Sequence, residues 1–451
     1  MKAQLGAAAV RAAVEKQRQN IHDDLAELVS FNSVAQAPEC AAEHAAAREW
    51  VVAALQKLGL DVAVYDTADD APTIIADRPG TTTVLLYSHY DVVRAGDPAD
   101  WLSDPFTLTE RDGRWYARGA ADCKGNLVMH LAALRAVAEL GGTDLGIRVV
   151  IEGSEECGGE GLDKLIAERP ELFEADVILI ADTGNVALGT PTLTTSLRGG
   201  AQIDVQLDTL RAPVHSGGFG GAAPDATALL IRLLNTLFDE YGRTSIEGID
   251  CTATWDGEQY PVAAFRADAG VLDGVQLMGG PDDTPADLVW MRPAIIVTGF
   301  TSTPVEEAVN AVPNTATARL NVRIPPGLRT TDVVAAVCAQ LERNTPFGAQ
   351  LTTSIKEVFD PFTANTEGPA VQALISALSA AYDNKPTATV GTGGSIPLCT
   401  TLTNAFPNAE LALFGVEEPL TTIHSPNESV SEEEIISIAV AEALFLLNYG
   451  R

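Results

Sequence analysis

Four short runs of branched apolar residues, TTVLLYSH, IRVVIEGS, DVILIAD and ELALFGV, constrain this chain more than any other feature. Each is too short for a stable helix and too continuously apolar for a strand with one wet face. Runs of this kind read as strands buried on both sides, as in parallel sheets covered by helices. Stretches of helical period fall around them: HAAAREWVVAALQKLGL, which stops at Gly59, then GNLVMHLAALRAVAEL, AVQALISALSAAY and SEEEIISIAVAEALFLL. The alternation predicts an α/β fold of three layers with a mostly parallel sheet.

The pattern changes after about residue 193. AQIDVQLD and TARLNVRIPP alternate apolar and polar residues, as half-exposed antiparallel strands do, and they enclose the helical patterns DATALLIRLLNTLFDEY and TTDVVAAVCAQLERN. We read 194–363 as an inserted α+β domain that interrupts an α/β domain made of 1–193 and 364–451. A chain of 451 residues is also longer than one small core accommodates. No run approaches the ~18 apolar residues of a membrane span. The start, MKAQLGAAAVRAAVEKQRQNIHDDL, has scattered charges and reads as an amphipathic helix rather than a secretion signal. Six cysteines without a C-x-x-C pair imply reduced thiols and a cytoplasmic protein. With 29 basic against 61 acidic residues, the net charge of −32 argues against nucleic acid and anionic membranes as partners.

Each apolar run leads into a metal-capable side chain: His89 and Asp91, Glu155 and Glu156, Asp182, and His424 shortly after ELALFGV. In open α/β sheets ligands bind at the carboxyl ends of the strands. Asp122, in ARGAADCKG, adds a carboxylate at a loop-to-helix junction, where the plain alternative is a helix N-cap. Asp91 stands two residues from His89 and can accept its imidazole N–H, the arrangement that orients a metal-binding histidine. A solvated loop acid is the alternative there, and a strand-end turn residue is the alternative for Asp182. His22, His44 and His130 lie on helical stretches and read as structural.

Glu155 and Glu156 pose an electrostatic problem. Two carboxylates about 4 Å apart repel by roughly 4 kcal/mol at an effective dielectric near 20. With Asp122 and Asp182 they total −4, which two divalent cations neutralise. Mixed His and carboxylate ligation suits zinc, with manganese or cobalt as alternatives. Two such ions about 3.5–4 Å apart form a hydrolytic centre. The adjacent glutamates can then divide the work, one binding metal and the other taking a proton from water.

The motifs SHYDVV, WLSDPF, ARGAADCKG, EGSEECGG, ADTG, HSGGFGG, NAVPNTATARLNVRIPP, GTGGSIP and HSPNE follow one another along nearly the whole chain. This ordered set resembles the di-zinc aminoacylase and carboxypeptidase family, nearest its carnosinase-like dipeptidase branch. The resemblance implies that His89 and Asp182 bind one metal, that Glu156 and His424 bind the other, and that Asp122 bridges them. Glu155 would be the general base and Asp91 would orient His89. The peptide bond after the bridging aspartate is cis in such proteins, although relatives more often carry a residue other than Cys123 there. The inserted domain would act as lid and dimer interface. His215 would stabilise the oxyanion, in its own or the partner subunit, with Asn310 nearby. Arg323 would hold the substrate carboxylate, helped by Gly393, Gly394 and Ser395. The implied activity is hydrolysis of dipeptides with a free C-terminal carboxylate. An N-acyl-amino-acid deacylase or desuccinylase is the alternative, and a non-catalytic binding module is a more distant one.

Overall fold

The apolar runs form the parallel centre of a large sheet. A computed structural model describes residues 5–449. Its longer strands, in chain order, are β1 (Asp61–Tyr65), β2 (Thr73–Arg78), β3 (Thr83–His89), β4 (Gly146–Glu152), β5 (Val177–Ala181) and β6 (Thr192–Leu197). They continue with β7 (Gly199–Asp208), β8 (Ala294–Thr301), β9 (Thr315–Ile324), β10 (Gln350–Phe359), β11 (Ala388–Thr392) and β12 (Glu410–Phe414). By its contacts the chain divides into two units. One comprises the chain up to Thr195, Ala364–Val390 and everything from Leu398; the other comprises Ser196–Thr363 and Gly391–Pro397.

In the first unit the strand order is β1-β2-β4-β3-β5-β12-β6, with β11 beside β6. The pairs β4–β3, β3–β5 and β5–β12 are parallel, and the margins are antiparallel. Side chains alternate between faces along a strand. Val84, Leu86, Leu179 and Phe414 join one core with the helices Lys124–Glu139 and Glu432–Asn448. The residues between them, Leu85, Tyr87, Ile180 and Leu413, are buried as well, so both faces are covered. That double burial is why these runs are apolar throughout. The parallel centre brings the carboxyl ends of four strands to one edge, with His89 opposite Glu152 and Phe414 opposite Ala181.

The amino-terminal stretch forms two helices, Ala7–Glu15 and Arg18–Val29, rather than one. Gln17, at the break, is buried and its amide donates to the carbonyls of Ala13 and Ala132, which fixes the interruption. The first four residues of that predicted helix lie outside the described ones. Among the described residues no helix is long and apolar enough to cross a membrane, and all six cysteines are free thiols.

The second unit holds an antiparallel sheet in the order β8-β9-β7-β10. Along β9 the residues Ala316, Ala318, Leu320, Val322 and Ile324 are buried, the period of two expected of a one-sided sheet. Helices Ala226–Leu234 and Thr330–Asn344 share this core. The first ends well before Tyr241, where its predicted pattern ran, passing into a single tight turn at Asn235–Leu237.

Candidate metal centre

β3 ends on His89, which is fully buried. Its Nδ1 lies 3.1 Å from Asp91 Oδ1, while Nε2 lies 3.1 Å from Asp122 Oδ1 and 3.3 Å from Asp182 Oδ1. Asp182 directly follows β5. The Asp91 carboxylate has a second task that the sequence did not suggest. It accepts the backbone N–H groups of Glu155 (3.2 Å) and Glu156 (3.1 Å), so the group that orients His89 also fixes the turn carrying both glutamates. That turn, Glu155–Cys157, exits through Gly158 and Gly159, whose φ values of 94° and 65° suit glycine.

Asp122 is not a helix cap: the following helix is capped at Cys123, without a side-chain hydrogen bond. Its two oxygens face two different histidines. Oδ1 meets His89, and Oδ2 lies 3.0 Å from His424 Nε2, which is also 3.0 Å from Glu156 Oε2. The Asp122–Cys123 peptide is cis. His424 sits on a loop with a left-handed backbone, φ 61°, and its ring is about half exposed (54%).

The donor set fits divalent cations. Each Nε2 can carry only one hydrogen, yet each faces two carboxylates. Glu156 Oε1 is buried and accepts no hydrogen bond from the described residues. The ligand atoms of His89, Asp122 and Glu156 lie within 4.8 Å of one another. Protein charges alone balance poorly here. Burial and then the Asp182 charge push Glu155 well above the usual carboxylate range, and burial and then Asp122 push Glu156 up to about 7. Burial pushes Asp122 up too, but hydrogen bonds from His424 and His89 outweigh it and hold Asp122 low. His424 is in turn raised to about 11 by Asp122 and Glu156. A divalent cation among these carboxylates would relieve the same repulsion.

The three helix-borne histidines are accounted for structurally, whereas the Cys123 thiol lies within 4.8 Å of ligand atoms of His89 and Asp182. His44 bonds the Gly153 carbonyl, His130 lies between Glu442 and the Tyr87 carbonyl, and His22 packs edge-on against Trp115. The Cys123 thiol donates to the Ala181 carbonyl, and burial pushes it up to about 12. Glu417, which sequence reasoning missed, places a carboxylate oxygen within 4.8 Å of those of Asp122 and Asp182. It continues the β5–β12 edge, where Gly184 and Glu417 form a parallel bridge.

In the second unit, Val214–His215 pairs with Ala311–Val312, which sets His215 beside Asn310. Ser216 N–H donates to the Asn310 carbonyl, and His215 Nδ1 accepts from Gly218 N–H. A neutral ring that accepts at Nδ1 carries its proton on Nε2, leaving a free donor. Arg323 donates to Ser395 Oγ (3.1 Å), which donates to the Arg198 carbonyl, and Arg198 N–H donates to the Gly394 carbonyl. Gly394 N–H is taken by Thr392 Oγ1, and a side chain at Gly393 would crowd Val289. Arg198 was also missed by sequence reasoning. Its Nη2 donates to the Arg292 carbonyl, its buried Nε has no partner among the described residues, and burial and then Arg323 push it down to about 10. An arginine at a strand end, in SLRGG, was the only signal.

Residues 85–448 match the group described as peptidase family M20/M25/M40. The chain is 56% identical over 438 residues to the cysteinylglycine-S-conjugate dipeptidase of Corynebacterium striatum, covering 96% of each protein. It is 27% identical over 403 residues to the Beta-Ala-His dipeptidase of Rattus norvegicus, covering 84% of this chain and 80% of that one. In fold it is similar to the crystal structure of human carnosine dipeptidase 1, with a TM-score of 0.81 over 98% of both chains at 24% identity.

Proposed function

This chain belongs to peptidase family M20/M25/M40, and from that premise we propose that it is a metal-dependent dipeptidase whose substrate is S-substituted cysteinylglycine. The full-length likeness to the Corynebacterium striatum enzyme supports that substrate, an unblocked dipeptide with a free carboxylate. The observation that carries the reading is Asp122, whose two oxygens face two histidine–carboxylate pairs at 3.1 and 3.0 Å.

In this reading His89, Asp182 and Asp122 hold one zinc ion, and Glu156, His424 and Asp122 hold a second. When bound, the two ions polarise the scissile carbonyl and acidify water. Glu155 takes the proton from the attacking water and returns it to the amine nitrogen of the leaving residue. Asp91 keeps the His89 ring in one tautomer and holds the Glu155–Glu156 turn in place. The Arg323 guanidinium of the inserted lid domain, 194–363, holds the substrate carboxylate together with the Ser395 hydroxyl, with the Gly393–Gly394 backbone of the segment Gly391–Pro397 alongside. His215 Nε2–H and Asn310 donate to the carbonyl oxygen as it gains charge. The protein works as a cytoplasmic homodimer joined through that domain, and its charge of −32 leaves nucleic acid and membranes aside.

The test is a hydrolysis panel: cysteinylglycine, an S-alkyl conjugate, and the N-acetyl and N-succinyl forms. Each is assayed after chelation and after restoring zinc, manganese or cobalt. We expect the unblocked conjugate to be cleaved fastest, and activity to vanish on chelation and return with metal. Preference for the blocked forms would make the protein a deacylase. Activity indifferent to chelation would end the metal reading.

A further inference from the structure

The two loops that supply Asp122 and His424 are joined by a buried crosslink that involves neither residue's reactive group. Arg118 stands four residues before Asp122, and Glu428 four residues after His424. Both are almost wholly inaccessible, at 1% and 0% exposure of their side chains. Glu428 Oε2 accepts from Arg118 Nη1 (2.5 Å) and Gly119 N–H (3.0 Å), and Oε1 accepts from Ala121 N–H (3.0 Å) and Asp122 N–H (3.1 Å). A carboxylate offers about four acceptor positions, so this one is saturated by donors from a single loop. Arg118 reaches back across the junction, its Nη2 donating to the Ser425 carbonyl. Backbone pairing brings the loops in together, with Ser429 and Val430 opposite Tyr116 and Trp115.

We infer that Glu428 is a positioning residue for the metal centre, fixing the Asp122 backbone against the His424 loop so that Asp122 Oδ2, Glu156 and His424 converge. Three facts support this. One of its four bonds is to the amide of Asp122 itself. Its own loop carries His424, at a left-handed backbone position that no sheet pairing holds. No other buried carboxylate among the described residues takes three backbone N–H groups from one ligand loop. The inference rests on the metal reading above.

The test is divalent metal affinity, measured with zinc against a chromophoric chelator on the full chain, for wild type and Glu428→Gln. The amide is nearly isosteric but turns an N–H₂ towards donors. We expect affinity to fall about 10–100-fold, the usual effect of losing a group that orients a ligand. Asp287→Asn is the control. It removes a comparably buried carboxylate, bonded to Trp255 N–H and Thr284, from the other unit, and should leave affinity unchanged. Arg118→Lys keeps a cation but loses the planar fork, and should weaken binding by less than Glu428→Gln, which also covers the case in which the glutamine variant does not fold. Wild-type affinity in both loop variants, or an equal loss in Asp287→Asn, overturns the inference while the metal reading stands. If wild type itself binds no zinc, both fail.

Discussion

His89 and His424 meet the same aspartate from opposite kinds of structure. His89 is the last residue of a strand paired on both sides, its ring is fully buried, and both ring nitrogens have carboxylate neighbours. Asp182 likewise leaves the end of a central strand. His424 rides a loop with left-handed positions at Thr422, His424 and Asn427, and half its ring is open to solvent. One half of the centre is therefore placed by the backbone ladder of the sheet. The other is placed by side chains, among them Asp91 on the glutamate turn and Glu428 on the Asp122 loop.

The largest effect is expected where the halves meet. Glu155→Gln should lower turnover by about 10²–10⁴-fold, the range of a general base, while elemental analysis finds the metal content of wild type. Retained turnover would remove Glu155 from the proton path and leave the halves without a shared carrier. The next effect separates them. In metal-free protein, His89→Ala strips Asp91, Asp122 and Asp182 of their fully buried imidazole, leaving carboxylates that are mostly buried themselves. We expect a loss of about 1–3 kcal/mol, read by denaturant unfolding. His424→Ala opens the site, so water can solvate the carboxylates it leaves, and the change should stay within about 0.5 kcal/mol. Both variants should bind zinc more weakly. Equal losses of stability would erase the distinction between the two halves.

The same division governs what could be read in the sequence. Apolar runs announce buried strands, and the residues that end them, His89 and Asp182, need only the parallel-sheet rule to be brought to one edge. The family resemblance read from the ordered motifs is borne out by the match over residues 85–448. His424 is different. The residue patterns tied it to ELALFGV, yet nine residues separate it from Phe414, and the side chain that this strand edge delivers is Glu417. Asp91 could be foreseen as a partner of His89 because they share one strand end, but its grip on Glu155 and Glu156 joins two distant segments. Glu428 stood only as the last residue of the HSPNE motif and Arg198 gave only the weak signal of an arginine at a strand end: a charged residue looks solvated until tertiary packing encloses it. The break at Gln17 escaped for the same reason, since its partner is the Ala132 carbonyl of another helix.

The smallest expected effect on turnover asks how the sheet-borne half is buttressed. His130 Nδ1 lies 2.7 Å from Glu442 Oε2 and its Nε2 lies 3.1 Å from the Tyr87 carbonyl, two residues before His89 on the same strand. Both neighbours accept, so both ring nitrogens donate and the imidazolium is the form that fits. Burial alone would lower its pKa, but the charge and hydrogen bond of Glu442, with the Tyr87 carbonyl, outweigh burial and raise it. A histidine raised on folding contributes stability fully below its unfolded pKa, about 6.5, and loses that contribution as pH climbs through the higher folded value. His130→Gln keeps a donor for Glu442 but no charge. The stability gap between wild type and this variant should therefore be widest below about pH 6.5 and narrow as pH rises, with turnover nearly unchanged. A gap that widens with pH would mean that His130 is held neutral. The support beneath His89 would then come from packing and the ladder alone, which would leave the strand-borne half rigid for a single reason rather than two.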